Sequence, residues 1–289
     1  VPASAAEAPF VRVGIVGVGL IGGSLAMALR QRSPSTRIVI VDRPEVASAA
    51  IDRGLADAVA PSAAALTDVD LIVLSAPIPA IVDALGAIGA ARLPAVVTDV
   101  GSTKRHILDA ARRSGVGAFV GGHPMAGSER GGLEHASASL LAGRRWFLVP
   151  GDAPPGRVAQ VAAFVRAIDA EPYEIDATTH DRTMAYVSHL PQIVSTVLMQ
   201  QVAEGVGPDG LGHAGRGLED LTRLASSPTE IWQGILATNA DFVGEAAAKV
   251  ATGLAALGAR LDDPPTVGRT FDAARSARQQ WFARGRRVP

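Results

Sequence analysis

VRVGIVGVGLIGGSLAMALR, residues 11–30, decides the fold. Its opening is a short Val/Ile-rich run that reads as a strand, its middle is GVGLIG at 17–22, and its end reads as a helix. Strand, glycine turn and helix in that order make a G-x-G-x-x-G turn inside a βαβ unit. Asp42 closes the next apolar run, RIVIVD, twenty residues beyond Gly22. That is the spacing at which an acidic side chain meets the ribose hydroxyls of a dinucleotide.

Each part of the turn has a physical role. Gly17 allows the tight turn, Gly19 lets the backbone approach a pyrophosphate, and Gly22 lets the helix pack closely on the strand. Leu20 and Ile21 complete the cofactor-contacting turn, where the helix N-terminus offers free N–H groups and the positive end of its dipole. Asp42 repels a 2′-phosphate, so the expected cofactor is NAD rather than NADP; Arg43 beside it pulls the other way.

Outward from this unit the pattern repeats. DLIVLSAP, AVVTDVGS, GAFVGG and RRWFLVP read as further strands, separated by the helical stretches PEVASAAIDRG, IPAIVDALGAI and TKRHILDAARRS. Such alternation gives a mostly parallel sheet with helices on both faces. After the turn-rich GDAPPG at 151–156, one more helix and strand (RVAQVAAFVRAI, PYEI) complete it, and from Asp176 strand signals vanish. The expected fold is therefore α/β: an N-terminal Rossmann-type dinucleotide-binding domain over 11–175, after a disordered or extended N-terminus over 1–10, and a C-terminal all-α domain over 176–289.

Composition narrows the function. The 289 residues carry a formal net charge of −1, which gives no footprint for nucleic acid or for a membrane surface. The uncharged run Val13–Leu29 is broken by five glycines and makes a poor membrane span. The chain has no cysteine, which removes thiol chemistry and thiolate metal sites and fits a cytoplasmic protein. Lysine occurs only at Lys104 and Lys249, so arginine is the expected carboxylate binder.

In an open α/β sheet, ligands lie outside the carboxyl ends of the strands. Three strands end there in polar or turn-forming segments: SAPIP with Ser75 and Pro77, DVGSTK with Ser102, and GGHPMAGSE with His123. Placed in the loop at a strand's end, His123 could take a hydroxyl proton while hydride leaves the same carbon. Ser102 could hydrogen-bond the other ring nitrogen or the nicotinamide, and its plain role is to cap the helix that follows. His180 and Asp181 invite a metal reading, but His180 and His189 stand nine residues apart, on opposite faces of a helix, and no metal site is expected.

These segments resemble the prephenate and arogenate dehydrogenases of tyrosine biosynthesis over nearly the whole chain. The resemblance rests on the glycine turn with Asp42, DVGSTK at 99–104, GGHPMAGSE at 121–129, SHLPQ at 188–192 and GLEDLTRLASSPTEIW at 217–232. It implies the NAD-dependent oxidative decarboxylation of a cyclohexadienol, prephenate or arogenate. His123 matches the family's catalytic histidine and Ser102 the serine that orients it and the cofactor. His189 matches a second-domain histidine near the substrate, and Arg223 the arginine that binds a carboxylate. Glu129, with Ser128 beside it, matches a residue that gates the pocket, and Asp220 one that holds the arginine. The resemblance also implies a homodimer through the C-terminal helices, with the active site in the cleft between the domains. Some members are fused to a mutase or regulatory domain, and neither is expected after the helical half.

Three rivals compete. A β-hydroxyacid dehydrogenase needs a catalytic lysine on the long helix, and residues 177–204 hold none. An imine-type reductase needs no such lysine but gives no reason for GGHPMAGSE. A non-catalytic dinucleotide sensor has no use for His123, Ser102 and Arg223 together.

Overall fold

The computed structural model describes residues 9–127 and 130–283. The chain runs β1 (Arg12–Val16), α1 (Leu20–Arg32), β2 (Arg37–Val41), α2 (Pro44–Asp52), β3 (Ala58–Val59), β4 (Leu71–Leu74), α3 (Ile78–Ala91) and β5 (Val96–Asp99). It continues with α4 (Arg105–Arg113), β6 (Phe119–Pro124), β7 (Arg145–Val149), α5 (Pro155–Ala167), β8 (Glu171–Glu174) and α6 (Ala177–Met184). Beyond these come α7 (Leu190–Leu211), α8 (Arg216–Thr222), α9 (Thr229–Thr238), α10 (Ala240–Gly258) and α11 (Pro264–Ala283). No described helix is long and apolar enough to cross a membrane.

Eight strands form one sheet in the order β3-β2-β1-β4-β5-β6-β7-β8. Every pairing is parallel except β6 with β7. Strand order reverses between β1 and β4, which opens the crevice where such sheets bind ligands. Side-chain alternation sends Leu71 and Val73 of β4 to one face, with Leu25 and Leu29 of α1 and Phe164 of α5. Ile72 and Leu74 go to the other face, with Ile81 and Leu85 of α3 and Ile107 of α4. Burial on both faces explains why the central strands read as unbroken apolar runs.

Here one expectation is corrected. His123 does not lie in a loop; GGHP makes up the last four residues of β6. After pairing in parallel with β5 at Phe119 and Val120, the strand continues antiparallel to β7, with His123 opposite Phe147. The glycines serve close approach. A Cβ at Gly122 would stand 2.3 Å from the Asp99 carbonyl oxygen and 2.8 Å from Trp146 Nε1, so only glycine fits there.

By compactness the chain divides into two units. The first runs through Met184 and takes in Ser226–Thr238; the second holds Ala185–Ala225 and the chain from Asn239 onward. The return of α9 to the sheet unit has a packing reason, because Ile235 is buried in the same cluster as α3. The described residues of the second unit form helices joined by turns, with no strand among them. It opens on a π-helical turn at Ala185–His189, leads into α7, and breaks at Gly207, whose φ of 64° lies in the left-handed region.

Candidate active site

The glycine turn is built as its spacing predicts. Gly17 has φ +90°, and a Cβ there would lie 2.3 Å from the Ser75 carbonyl oxygen. A Cβ on Gly22 would lie 2.0 Å from the Gly17 carbonyl oxygen, whereas Gly19 faces open space. Gly17 and Gly22 therefore close the turn, and Gly19 leaves backbone exposed to an approaching group. Leu20 and Ile21 begin α1, which has no side-chain cap and no acidic residue in its first turn, a terminus suited to a phosphate. Asp42 is already oriented: its carboxylate accepts from Val18 N at 2.5 Å and from Arg43 N at 2.7 Å. Ser75 N donates to Val16 O at 2.7 Å, tying the end of β4 to β1, and Pro77 leads into α3. The Arg43 side chain is exposed. This cradle fits a dinucleotide.

At the carboxyl end of the same sheet, His123 is almost fully buried against Phe147. Its Nδ1 lies 2.9 Å from Nε2 of His180, whose Nδ1 lies 2.8 Å from Asp181 Oδ1. Asp181 also accepts from Lys104 N at 2.7 Å, Arg105 N at 3.0 Å and Arg105 Nε at 3.1 Å. His180 and Asp181 are fully buried. Burial holds the His180 imidazole below the ordinary histidine range; its bond to Asp181 opposes this, and Lys104 adds to it. Burial would raise the Asp181 carboxyl, but the bond to His180 and the N–H groups of Arg105 and Lys104 outweigh it and hold the group below the usual carboxylate range.

Ser102, half-buried between β5 and α4, forms no hydrogen bond to the His123 ring among the described residues; His180 holds Nδ1 instead. Nor does Ser102 cap α4, which lacks a cap from its own flank. Asp181 takes the N–H groups of Lys104 and Arg105, so a carboxylate distant in sequence does a neighbouring serine's work.

Lys104, noted in the sequence only for its rarity, is fully buried with its Nζ on the Asp99 carboxylate and on the Gly122 carbonyl oxygen at 2.6 Å. Asp99 accepts in addition from Gly101 N at 2.8 Å and Gly122 N at 2.9 Å. Burial pulls the Lys104 ammonium below its ordinary value, while Asp99 and Asp181 work against that. The ion pair thus joins β5, the start of α4 and the strand that carries His123.

In the second unit, His189 ends the π-helical turn, buried, with Nδ1 3.2 Å from Asn239 Nδ2. Gln192 of the same motif donates to Leu224 O at 2.8 Å, fixing α7 to the segment after Arg223. Asp220 and Arg223 are exposed, one helical turn apart. Ser128 and Glu129 lie outside the described residues. Among the described residues no cluster could hold a metal ion.

Sequence reasoning missed Asp99 and Lys104 as a buried pair, and it weighed His180 and Asp181 only as metal ligands. The available signal was a His-Asp dipeptide beginning a helix just after the last strand. What it faces depends on how β6 and α6 pack.

Comparison with known proteins places these features in a family. Residues 25–174 match the nucleotide-binding domain of prephenate dehydrogenases, and residues 176–264 match their dimerization domain. Prephenate dehydrogenase of Bacillus subtilis is 32% identical over 79% of this chain, and that of Lactococcus lactis 30% identical over 80%. The chain spans slightly under two thirds of the length of these two relatives, 64% and 66%. Among solved structures, prephenate dehydrogenase of Aquifex aeolicus in complex with hydroxyphenyl propionate and NAD+ superimposes with a TM-score of 0.84 at 28% identity, over 93% of this chain and 97% of that one. Arogenate dehydrogenase of Synechocystis gives 0.79 at 26% identity, over 94% and 100%.

Proposed function

This chain belongs to the prephenate dehydrogenase family, and we propose on that footing that it oxidises and decarboxylates prephenate or arogenate in tyrosine biosynthesis, with NAD as hydride acceptor. The observation that carries the reading is a buried imidazole at the carboxyl end of the sheet whose β1/β4 crevice bears the glycine cradle and Asp42. Gly17, Gly19, Gly22 and the start of α1 would hold the pyrophosphate, and Asp42 the ribose hydroxyls, favouring NAD over NADP. Ser75, Pro77 and Ser102, at the tips of neighbouring strands, are the expected cofactor contacts further along.

Bound NAD supplies a two-electron acceptor for the hydride on the ring carbon that carries the hydroxyl. His123 takes the hydroxyl proton at Nε2, because Nδ1 is engaged by His180. The ring ketone so formed accepts the electron pair of the C–carboxylate bond, carbon dioxide leaves, and the ring becomes aromatic. Decarboxylation therefore needs little from the protein beyond positioning. Arg223, with Asp220 behind it, binds a substrate carboxylate, and His189, Ser128 and Glu129 complete the substrate contacts.

The helical part from residue 176 serves substrate binding and homodimerisation, in the cytoplasm. Its apolar surface supports the dimer: α11 has no buried residue yet presents Phe271 and Trp281, and Leu254 of α10 is exposed as well. The test is a matrix of prephenate and arogenate against NAD and NADP on the purified protein, followed by absorbance of the reduced nicotinamide. NADH formation with one or both substrates is expected. Turnover of simple hydroxy acids alone, or of neither substrate, overturns the reading.

A further inference from the structure

The chain His123–His180–Asp181 extends inward from the proposed base, and each bond in it has a direction that the chemistry dictates. Asp181 receives the N–H groups of Lys104 N, Arg105 N and Arg105 Nε, and an ionised carboxylate has only acceptors to offer His180 Nδ1, 2.8 Å away. His180 Nδ1 must therefore carry hydrogen. A fully buried imidazole whose Nδ1–H is committed to Asp181 keeps its lone pair on Nε2 while it stays neutral. His123 Nδ1, 2.9 Å away, must then be the donor of that bond, which leaves the lone pair of His123 on Nε2.

We propose that His180 and Asp181 are positioning residues that lock His123 in the Nδ1–H tautomer, so that Nε2 is the nitrogen that receives the substrate proton. The proposal rests on His123 acting as the base. Two rings also fix the plane of His123: His180 meets it edge-on at 5.1 Å between centroids, and Phe147 lies across from it at 6.4 Å. Of the charged and titratable groups described around His180, Lys104 favours a neutral ring as burial does, whereas Asp181 and Asp99 favour the charged one, and burial prevails. Asp181 anchors it from its own helix, His123 faces it from β6, Lys104 stands at the start of α4, and Asp99 of β5 is paired with that lysine. Burial lowers the proton affinity of His180, and Lys104 adds to that. The same arrangement makes the chain an anchor rather than a shuttle. A proton passed along it would have to settle on Asp181, which its donors hold in the ionised form.

Nitrogen-15 NMR of histidine-labelled protein at pH 7 tests this without turnover. His123, assigned by its disappearance in His123→Asn, should show the shifts of an Nδ1–H tautomer in the free wild-type enzyme; an Nε2–H tautomer overturns the proposal. Two variants extend the test. His180→Phe removes the acceptor and should lower kcat on the order of 10²–10⁴-fold with little change in KM, the range a positioned acid–base group commands. His180→Gln can place its amide oxygen where Nε2 stood and should recover both the tautomer and most of the rate. If His180→Phe keeps the wild-type tautomer and rate, or if His180→Gln falls as far as His180→Phe, the positioning role is refuted. Near-normal turnover in His123→Asn would instead sink the base assignment, so the two failures are distinguishable.

Discussion

Replacing Lys104 by methionine tests the most concentrated electrostatic feature of the molecule. The ammonium is fully buried and contacts the Asp99 carboxylate and Gly122 O. Methionine fills much of the same volume but leaves a fully buried carboxylate with only the N–H groups of Gly101 and Gly122. Removing one partner of a buried ion pair costs about 3–5 kcal/mol, because the remaining charge is uncompensated. At roughly 2–4 °C per kcal/mol, the expected loss in melting temperature is on the order of 6–20 °C. Thermal unfolding followed by far-ultraviolet circular dichroism, at one fixed protein concentration, measures it. The double variant Lys104→Met/Asp99→Asn removes the stranded charge and should recover part of the loss. A single variant that melts within about 2 °C of wild type, or a double variant that loses the sum of both singles, refutes the reasoning.

Gly122→Ala should destabilise the protein by about 1–3 kcal/mol through overpacking, since the new methyl meets Asp99 O, Trp146 Nε1 and Thr98 Oγ1 within 2.9 Å. Gly117→Ala, where nothing lies within 4 Å, should be nearly neutral, and urea titration of the two variants measures the difference. Asp42→Ala should raise kcat/KM with NADP relative to NAD, and unchanged discrimination would remove Asp42 from the ribose site. Stability should also fall with pH below about 6.5, the ordinary histidine value. The unfolded chain takes up a proton on His180 there, while the folded chain keeps the ring neutral to a lower pH, so the contribution is complete above that value and lost below it. Asp181, also depressed, acts in the same direction, its contribution being lost as pH falls below the ordinary 3.8. Urea unfolding at pH 7 and pH 5.5 should show a smaller drop for His180→Gln than for wild type; an equal drop would show that His180 is not its source.

The sheet and its nucleotide crevice were legible because their signals are local. GVGLIG needs only its own strand and helix to become a turn, and Asp42 reaches Val18 through a single βαβ unit. The strands from Val11 to Val149 could be read from short Val/Ile-rich runs between glycines, since a buried parallel strand is apolar on both faces. His123 was identified as a candidate but placed in a loop. The glycines around it look like turn residues until β7 arrives to pair with them in the antiparallel direction.

On its own, the order of residues determined the class of fold, the place of the dinucleotide and the identity of the candidate base, all consequences of spacing within one or two consecutive elements. Only tertiary structure decided which nitrogen of that base is engaged and what lies behind it. It also decided that α9 returns to the sheet, that Asp181 caps α4 in place of Ser102, and that one of the two lysines is sealed against Asp99. Asp181 and Lys104 stand 77 positions apart, and Thr238 at the end of α9 bonds to Thr103 across 135. Whether two such polar groups meet depends on how helices and strands pack over the core, and local spacing carries no record of that.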